Sequence, residues 1–417
     1  MATRGATQQS SAPYNRRIVL DVIRRRGEVS RKEIIDLVAL SPQTVANITQ
    51  DLEEIGLVVS KRLKGEKTRG QPPMAFTLDP RGGDSIGVSL EPRRASAALV
   101  NLVGEVLHRR EVEIDARDQK ATLAVMVQLV RELQACSADA KRIWGVGVAL
   151  PGPFDVPGLS FTGPTAFEGW TDLSILEDLQ KATGLHVFYN IDSAAGALGE
   201  SLFGVAQGLT GFFYLHFGVG LGGALVTDKA AYKGANGNAT EIGHIPIVPH
   251  GKACYCGNHG CLERYVSLHS LSEFVSGDPD VELTNAQILA LLAAEDERLM
   301  DWCRQAAGHL RNAICIIENM LDPSTIVIGG SAPRALVERL VALAMPLRHS
   351  VRGGARDGGP RITLSERQED SSILGAAVLP IHEMLSPSFD VLLQERQGRL
   401  EVETFLGGRP GGRANTL

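Results

Sequence analysis

Three of the six cysteines fall within eight residues, at Cys254, Cys256 and Cys261, and His244 lies ten positions before the first of them in a Glu241-Ile242-Gly243-His244 frame. Thiolate and imidazole together suit zinc, a borderline-soft ion that takes four ligands tetrahedrally. The Cys-x-Cys pair followed by Gly-x-x-Gly-Cys offers three sulfurs from one tight loop, and its glycines let the backbone fold around an ion. His244 closes the set. Four protein ligands leave no open position, so such a zinc is structural and not a source of zinc hydroxide. The competing readings are three buried free thiols or a disulfide, and the remaining cysteines are dispersed along the chain. Glu241 and Glu263 flank the box as two carboxylates, whose plain reading is as surface groups. His250, His259 and His269 are nearby decoys, and His259 reads as an exposed loop residue.

The elements that must position this box read as α/β. Segments 85–90 and 96–101 form a hairpin, and 143–150 is an apolar strand running into Pro151-Gly152-Pro153. Segments 186–189, 212–217, 222–226, 325–328 and 361–364 are further strands. Helices are expected at 122–135, 192–203, 264–276, 285–293, 298–319, 333–348 and 371–384 from their 3.6-residue apolar periodicity. Asp192 opens one of them, where it can act as a helix cap, as a pocket carboxylate, or as both. No internal repeat is visible by eye, although the pattern leaves room for two similar α/β lobes.

Ahead of this body the pattern differs. Residues 1–13 are polar and aperiodic, and read as a disordered tail. From Tyr14, Ile18, Val19, Val22 and Ile23 recur at helical spacing until Gly27. Ser30-Arg31-Lys32-Glu33 is a capping box for a second helix, with Ile34, Ile35, Leu37 and Val38 turned inward. Ser41-Pro42 opens a third, with Val45, Ile48, Leu52 and Ile55 as its buried stripe. Two short helices joined by a tight turn have the shape of a helix-turn-helix. Ser41, Gln43, Thr44 and Asn47 stand on or beside the exposed face of the third helix, and such amides and hydroxyls read base edges in a major groove. Two strands follow, around 57–59 and 74–78, and between them a basic stretch, 61–73, forms a wing whose Arg69 and Gln71 are candidate phosphate or minor-groove contacts. The competing reading is a helical dimerisation module with a solvated basic loop. Residues 79–84 read as a linker.

Charge supports the division. Residues 1–80 hold 13 Lys+Arg against 9 Asp+Glu, a net of +4, and the rest holds 29 against 39, a net of −10, together the −6 of the whole chain. At 417 residues two or three domains are expected. No stretch approaches the 18 or so apolar residues of a membrane span, and cysteine usage fits a reducing compartment, so a cytoplasmic protein is expected. Residues 386–417 form a C-terminal extension whose Gly/Arg-rich end reads as disordered.

Several motifs occur in a fixed order: Gly-Val-Ala-Leu-Pro-Gly-Pro at 147–153, Asp192 within Asp-Ser-Ala-Ala-Gly-Ala-Leu-Gly-Glu, Gly-Val-Gly-Leu-Gly-Gly at 218–223, Glu-Ile-Gly-His at 241–244, the cysteine box, and Ile-Gly-Gly-Ser at 328–331. From about residue 14 to 385 the chain resembles the ROK family (repressor, open reading frame, kinase), in its repressor branch. That resemblance implies a winged helix-turn-helix head on residues 14–80, and on 85–385 an actin/hexokinase-like body of two α/β lobes with a sugar cleft between them. It implies a homodimer or homotetramer acting on operator DNA, with a sugar or sugar derivative as effector. It assigns sugar contacts to Asp192, the base on the sugar hydroxyl in the kinases and here vestigial, and to Glu241, His244 and Glu263. His244 would bind zinc through one nitrogen and face the sugar with the other. The family usually carries Asn directly before this Asp; here Ile191 stands there, and Asn190, one place earlier, is the candidate substitute.

The family's kinases cradle phosphate on an Asp followed by Gly-Gly-Thr. The matching stretch here is Ser89-Leu90-Glu91-Pro92-Arg93, in which Glu91 repels phosphate and Pro92 lacks an N–H. Val219 stands where a Thr is usual. A sugar-responsive repressor without kinase activity is therefore expected, and the alternative is a ROK-type, glucokinase-like enzyme carrying a DNA-binding head.

Overall fold

The computed structural model describes residues 8–62, 74–156, 160, 162–163, 166–167, 169–228, 230–352 and 359–385. The expectations for residues 1–7, for Arg69 and Gln71, and for 386–417 lie outside these.

The N-terminal unit comprises α1 (Gln8–Arg26), β1 (Val29–Ser30), α2 (Arg31–Leu37), α3 (Pro42–Glu54), β2 (Val58–Arg62) and β3 (Met74–Leu78). The sheet runs β1-β3-β2, all antiparallel. The capping box is formed as its spacing requires: Ser30 Oγ accepts from Glu33 N at 3.3 Å and Glu33 Oε2 accepts from Ser30 N at 2.8 Å. Val45, Ile48 and Leu52 of α3 are buried against Ile23, Ile34 and Phe76. Two expectations are corrected. Helix α1 begins at Gln8, not Tyr14, and runs through Pro13; Gln, Ser and Ala do not oppose a helix that propagates backwards from a formed nucleus. Leu37 is 49 % exposed, because Ile34 and Val38 fill the buried stripe, with Ile35 and Leu40 packed at its edge, and Leu37 lies outside it.

The body holds two five-stranded sheets. The first lobe contains β4 (Asp84–Glu91), β5 (Arg94–Asn101), β6 (Val106–Glu113), α4 (Gln119–Cys136), β7 (Ile143–Leu150), α5 (Ser174–Thr183) and β8 (Val187–Ile191). Then come α6 (Asp192–Phe203), β9 (Gly211–Phe217), β10 (Leu221–Thr227), β11 (Ala230–Ala231), α7 (Leu268–Ser276), α8 (Asn285–Ala293), α9 (Glu297–Leu321), β12 (Ile326–Gly330), α10 (Arg334–Ala344), β13 (Ile362–Leu364) and α11 (Ser371–Leu385). Sheet orders are β6-β5-β4-β7-β8 and β11-β10-β9-β12-β13. Each is third-second-first-fourth-fifth in chain order, with the first three strands antiparallel and the last two added parallel. The repeat that the sequence conceals is thus a repeat of topology.

Two helices cross between the lobes. Helix α6 follows the last strand of the first sheet but packs on β9 and β10 of the second; α11 follows the last strand of the second and packs on β4 and β7 of the first. They lie against each other at close range. A Cβ on Gly375 would sit 2.4 Å from the Ala195 carbonyl carbon, and one on Gly147 only 1.8 Å from Ala376 O. Such distances admit glycine alone.

The expected 79–84 linker is a packed 3-10 turn, Pro80–Gly82. Arg142 donates from Nη1 to Arg81 O at 2.7 Å and from Nη2 to Ile55 O at 3.0 Å. One apolar cluster joins Leu20 and Ile23 of α1 to Leu198 and Leu202 of α6 and to Ile381 and Met384 of α11. Helix α10 ends at Ala344, ahead of the expected 348, because Pro346 disfavours helical backbone at the residue before it. Helix α7 starts at Leu268, behind a Ser267 capping box, and 262–264 is a 3-10 turn.

Candidate functional site

A cavity at the junction of the lobes is where β8, α6, β9, β10 and the cysteine loop meet. Asp192, His216, Glu241, His244 and Glu263 all line it. Asp192 is the first residue of α6 and not its cap, since that place belongs to Ile191, which makes no side-chain bond. Asp192 Oδ1 accepts from Ser193 N at 2.6 Å, and Oδ2 lies 3.6 Å from His216 Nε2. Glu263 is 7 % exposed and its Oε2 accepts from Leu221 N at 2.9 Å. Burial pushes the Asp192 carboxyl upward, opposed by His216, and burial likewise raises Glu263. Glu241 is raised to about 7, first by burial and then by the Asp192 and Glu263 charges. Three acceptor groups therefore converge on one cavity, and among the described residues lining it none is Lys or Arg. Asn190 is placed elsewhere. Its Oδ1 accepts from Ile191 N at 2.9 Å, and it lines an adjoining cavity that shares Ile191, Ser193 and Glu241 with the first.

The wall beside Glu241 and Glu263 is the Cys/His box. The ligand atoms of His244, Cys254, Cys256 and Cys261 all lie within 4.8 Å of one another. His244 Nδ1 is 3.6 Å from Cys254 Sγ, and Cys256 Sγ is 3.6 Å from Cys261 Sγ. Sulfurs bonded to each other stand about 2.05 Å apart, so these are separate thiols, as all six cysteines are. Donors on a tetrahedron with Zn–S near 2.3 Å are separated by about 3.8 Å, so the group has the size of a zinc site. Burial pushes the Cys254 and Cys261 thiols up, so their thiolates call for a cation. His259 is exposed, as expected.

Sequence reasoning missed what fixes this loop. Arg264, 7 % exposed, donates to Ala253 O at 3.1 Å, Tyr255 Oη at 3.2 Å and Glu273 Oε2 at 3.1 Å, and stacks over the Tyr255 ring at 5.0 Å. Tyr255 Oη also meets His269 Nε2 at 3.0 Å. His216 was missed as well; strand alternation in Phe-Tyr-Leu-His-Phe puts it on one face with Tyr214.

At the place of the kinase phosphate loop, Glu91 pairs with Arg94 across β4 and β5, leaving a two-residue turn, Pro92-Arg93. Arg93 Nε reaches Glu282 Oε2 at 3.2 Å, linking the two lobes. In the head, Ser41 caps α3, its Oγ accepting from Thr44 N at 3.1 Å. Gln43 Nε2 donates to Asn47 Oδ1 at 2.8 Å on the exposed face.

Residues 85–383 match the ROK family model, and 13–59 match a winged helix-turn-helix DNA-binding model. The chain belongs to the ROK family. It is similar to the xylose repressor of Caldicellulosiruptor bescii, 27 % identical over 395 residues, 89 % of this chain and 96 % of that one. Among solved structures it is similar to a ROK family transcriptional regulator described as a homolog of E. coli MLC protein, with TM-score 0.69 and 26 % identity, covering 92 % of this chain and all of that one. It also shares its body fold with a ROK family glucokinase from Streptomyces griseus, solved with glucose and AMPPNP, with TM-score 0.58 and 24 % identity over 71 % of this chain and 99 % of that one. The winged helix-turn-helix head and the two-lobed α/β body expected from the sequence are both present. Among the described residues no helix is long and apolar enough to cross a membrane.

Proposed function

We propose that this ROK protein is a sugar-responsive transcriptional repressor of the cytoplasm. It acts as a homo-oligomer, with one α3 per half-site of an operator, and controls genes of carbohydrate use. The single observation that carries the reading is the pairing of a winged helix-turn-helix head with a cavity of three converging carboxylates in one continuous chain. Carboxylates accept from the vicinal hydroxyls of a sugar. Gln43, Thr44 and Asn47 stand where a recognition helix reads bases, and the similar full-length proteins named above are a repressor and a regulator.

His244, Cys254, Cys256 and Cys261 hold zinc in this reading. The ion is structural: it ties the cysteine loop to the Glu241–His244 segment, and with His244 Nδ1 turned to the sulfurs, Nε2 is left for the sugar. Sugar binding between the lobes changes their angle. Helix α6 carries the change, because it starts at Asp192 in the cavity and ends against α1, where Arg24 Nη1 donates to Leu202 O at 3.4 Å. Such an effector acts only through its unequal affinity for the two lobe arrangements.

Kinase activity is absent in this reading. The Pro92-Arg93 turn offers no glycine-rich cradle, and the Glu91 carboxylate before it is occupied by Arg94, whose Nε donates to Glu91 Oε2 at 2.9 Å. Two measurements test the whole. A titration of the chain against its own upstream promoter, with and without a panel of sugars, should show sugar-dependent release. Failure of every sugar to change affinity, together with failure of the head to bind DNA, ends the proposal. Sugar-dependent ADP release above about 1 s⁻¹, the low end for kinases, would instead establish the enzyme reading.

A further inference from the structure

His216 lines the cavity beside Asp192, yet no role has been given to its imidazole. It is 4 % exposed, on β9, and its Nδ1 has no hydrogen-bond partner among the described residues. Its Nε2 stands 3.6 Å from Asp192 Oδ2, too far for a direct hydrogen bond, and both residues line the cavity. Two polar atoms at that separation can both reach one oxygen placed about 2.8 Å from each. Beside them Gly218 leaves its side-chain position vacant. A Cβ there would lie 2.9 Å from His216 Nε2 and 3.0 Å from Ser331 Oγ, which is 3 % exposed and also without a partner.

We infer that His216 is a specificity-determining residue of the effector site, which with Asp192 recognises one free hydroxyl of an unphosphorylated sugar. A hydroxyl is both donor and acceptor. It gives its hydrogen to the Asp192 carboxylate and accepts from the His216 Nε2–H. A phosphate ester at that carbon has acceptor oxygens and negative charge only. It would meet Asp192, Glu241 and Glu263 with no Lys or Arg among the described lining residues to offset them. The site therefore rejects sugar phosphates and loses affinity for the sugar that lacks this one hydroxyl.

This inference rests on the sugar-responsive reading, and the experiment separates the two. Binding to the zinc-loaded full chain is measured by calorimetry for xylose, glucose and N-acetylglucosamine, for the monodeoxy analogues of whichever binds, and for glucose 6-phosphate and N-acetylglucosamine 6-phosphate. The wild type is expected to bind a free sugar, to bind neither phosphate, and to lose about tenfold in affinity, equivalent to ~1.4 kcal/mol, for one deoxy analogue. His216→Gln should bind the parent sugar about tenfold more weakly and no longer distinguish it from that analogue, with melting temperature and zinc content unchanged. Gly218→Ala reaches the same outcome with His216 unmutated, by pressing a methyl group against its Nε2. A sugar phosphate that binds as well as its parent, or both variants keeping the full deoxy penalty, overturns the role of His216 while the sugar-responsive reading stands. A wild type that binds none of these sugars overturns both.

Discussion

Glu241→Gln offers the most direct test of the cavity's electrostatics. The Glu241 carboxyl is raised to about 7, by burial and by the neighbouring Asp192 and Glu263. Its reference value is 4.5. Because the folded chain holds this proton more tightly than the unfolded chain, the associated stability is fully present below pH 4.5. It is lost as pH rises from 4.5 to 7. At about 1.4 kcal/mol per pH unit the gap amounts to about 3 kcal/mol, and side-chain relaxation lowers it to roughly 1–3 kcal/mol. A zinc bound by three thiolates and a neutral imidazole carries a net negative charge, so loading the site adds to this repulsion. Glutamine keeps the shape and removes the charge. Thermal melts of wild type and E241Q are compared at pH 5.5 and 8.5, at equal measured zinc content. E241Q should melt a few degrees higher at pH 8.5, and the advantage should largely vanish at pH 5.5. Equal melting at pH 8.5, or an E241Q less stable there, would refute the view that three carboxylates crowd one buried cavity. The same variant should bind sugar more weakly, since an amide offers one neutral acceptor oxygen where the carboxylate offers two charged ones.

Cys256→Ser should lower zinc content and also blunt the response of DNA binding to sugar, because the loop that holds Glu263 and His244 in place is loosened; a variant free of zinc with an intact sugar response would reduce the box to a local staple. Asn47→Ala should weaken operator binding by about 1–3 kcal/mol in a gel-shift titration with no change in melting temperature, and equal loss on unrelated DNA would argue that it contacts phosphate only. Gly375→Val should destabilise the body by about 3 kcal/mol or more, since its Cβ would sit 2.4 Å from the Ala195 carbonyl carbon; a chemical denaturation midpoint equal to wild type would show that α6 and α11 separate easily.

Much of this architecture was legible in the chain, for reasons that differ from one element to the next. The Ser30 capping box and Pro42 at the start of α3 are local signals, and they formed as read. The cysteine box was legible because its three sulfurs come from one loop, while His244 joined them through the Glu-x-Gly-His frame. Helix α5 escaped notice although Ile175, Leu176 and Leu179 form a stripe closed by Gly184 in the left-handed region; a ten-residue helix between loops has little periodicity to show. Strand β6 was missed because it is exposed along all eight residues and carries no inward face. The duplicated sheet order escaped because pairing order leaves no periodic trace in residue types. His216 reads as one more member of an apolar strand, and only the three-dimensional approach of α6 puts Asp192 beside it.

The exchange of covering helices between the lobes has a consequence for how the chain comes to be made. The first sheet is complete in its strands by Ile191, but one of its faces awaits α11, whose Ile373, Leu374 and Ala377 cluster with Ala98 and Val100. Helix α6 meanwhile leaves that sheet to cover the next one, through Ala197 against Phe212 and Tyr214. During synthesis the first lobe therefore emerges from the ribosome with a bare apolar face and keeps it until some 180 further residues have followed, so neither half can mature ahead of the other. The head waits too, since α1 rests on the far end of α11 through Ile381 and Met384. Truncation before residue 371 should thus yield an aggregating fragment and not a smaller working protein, since α11, the last of the described helices, is the one that closes both the first lobe and the head.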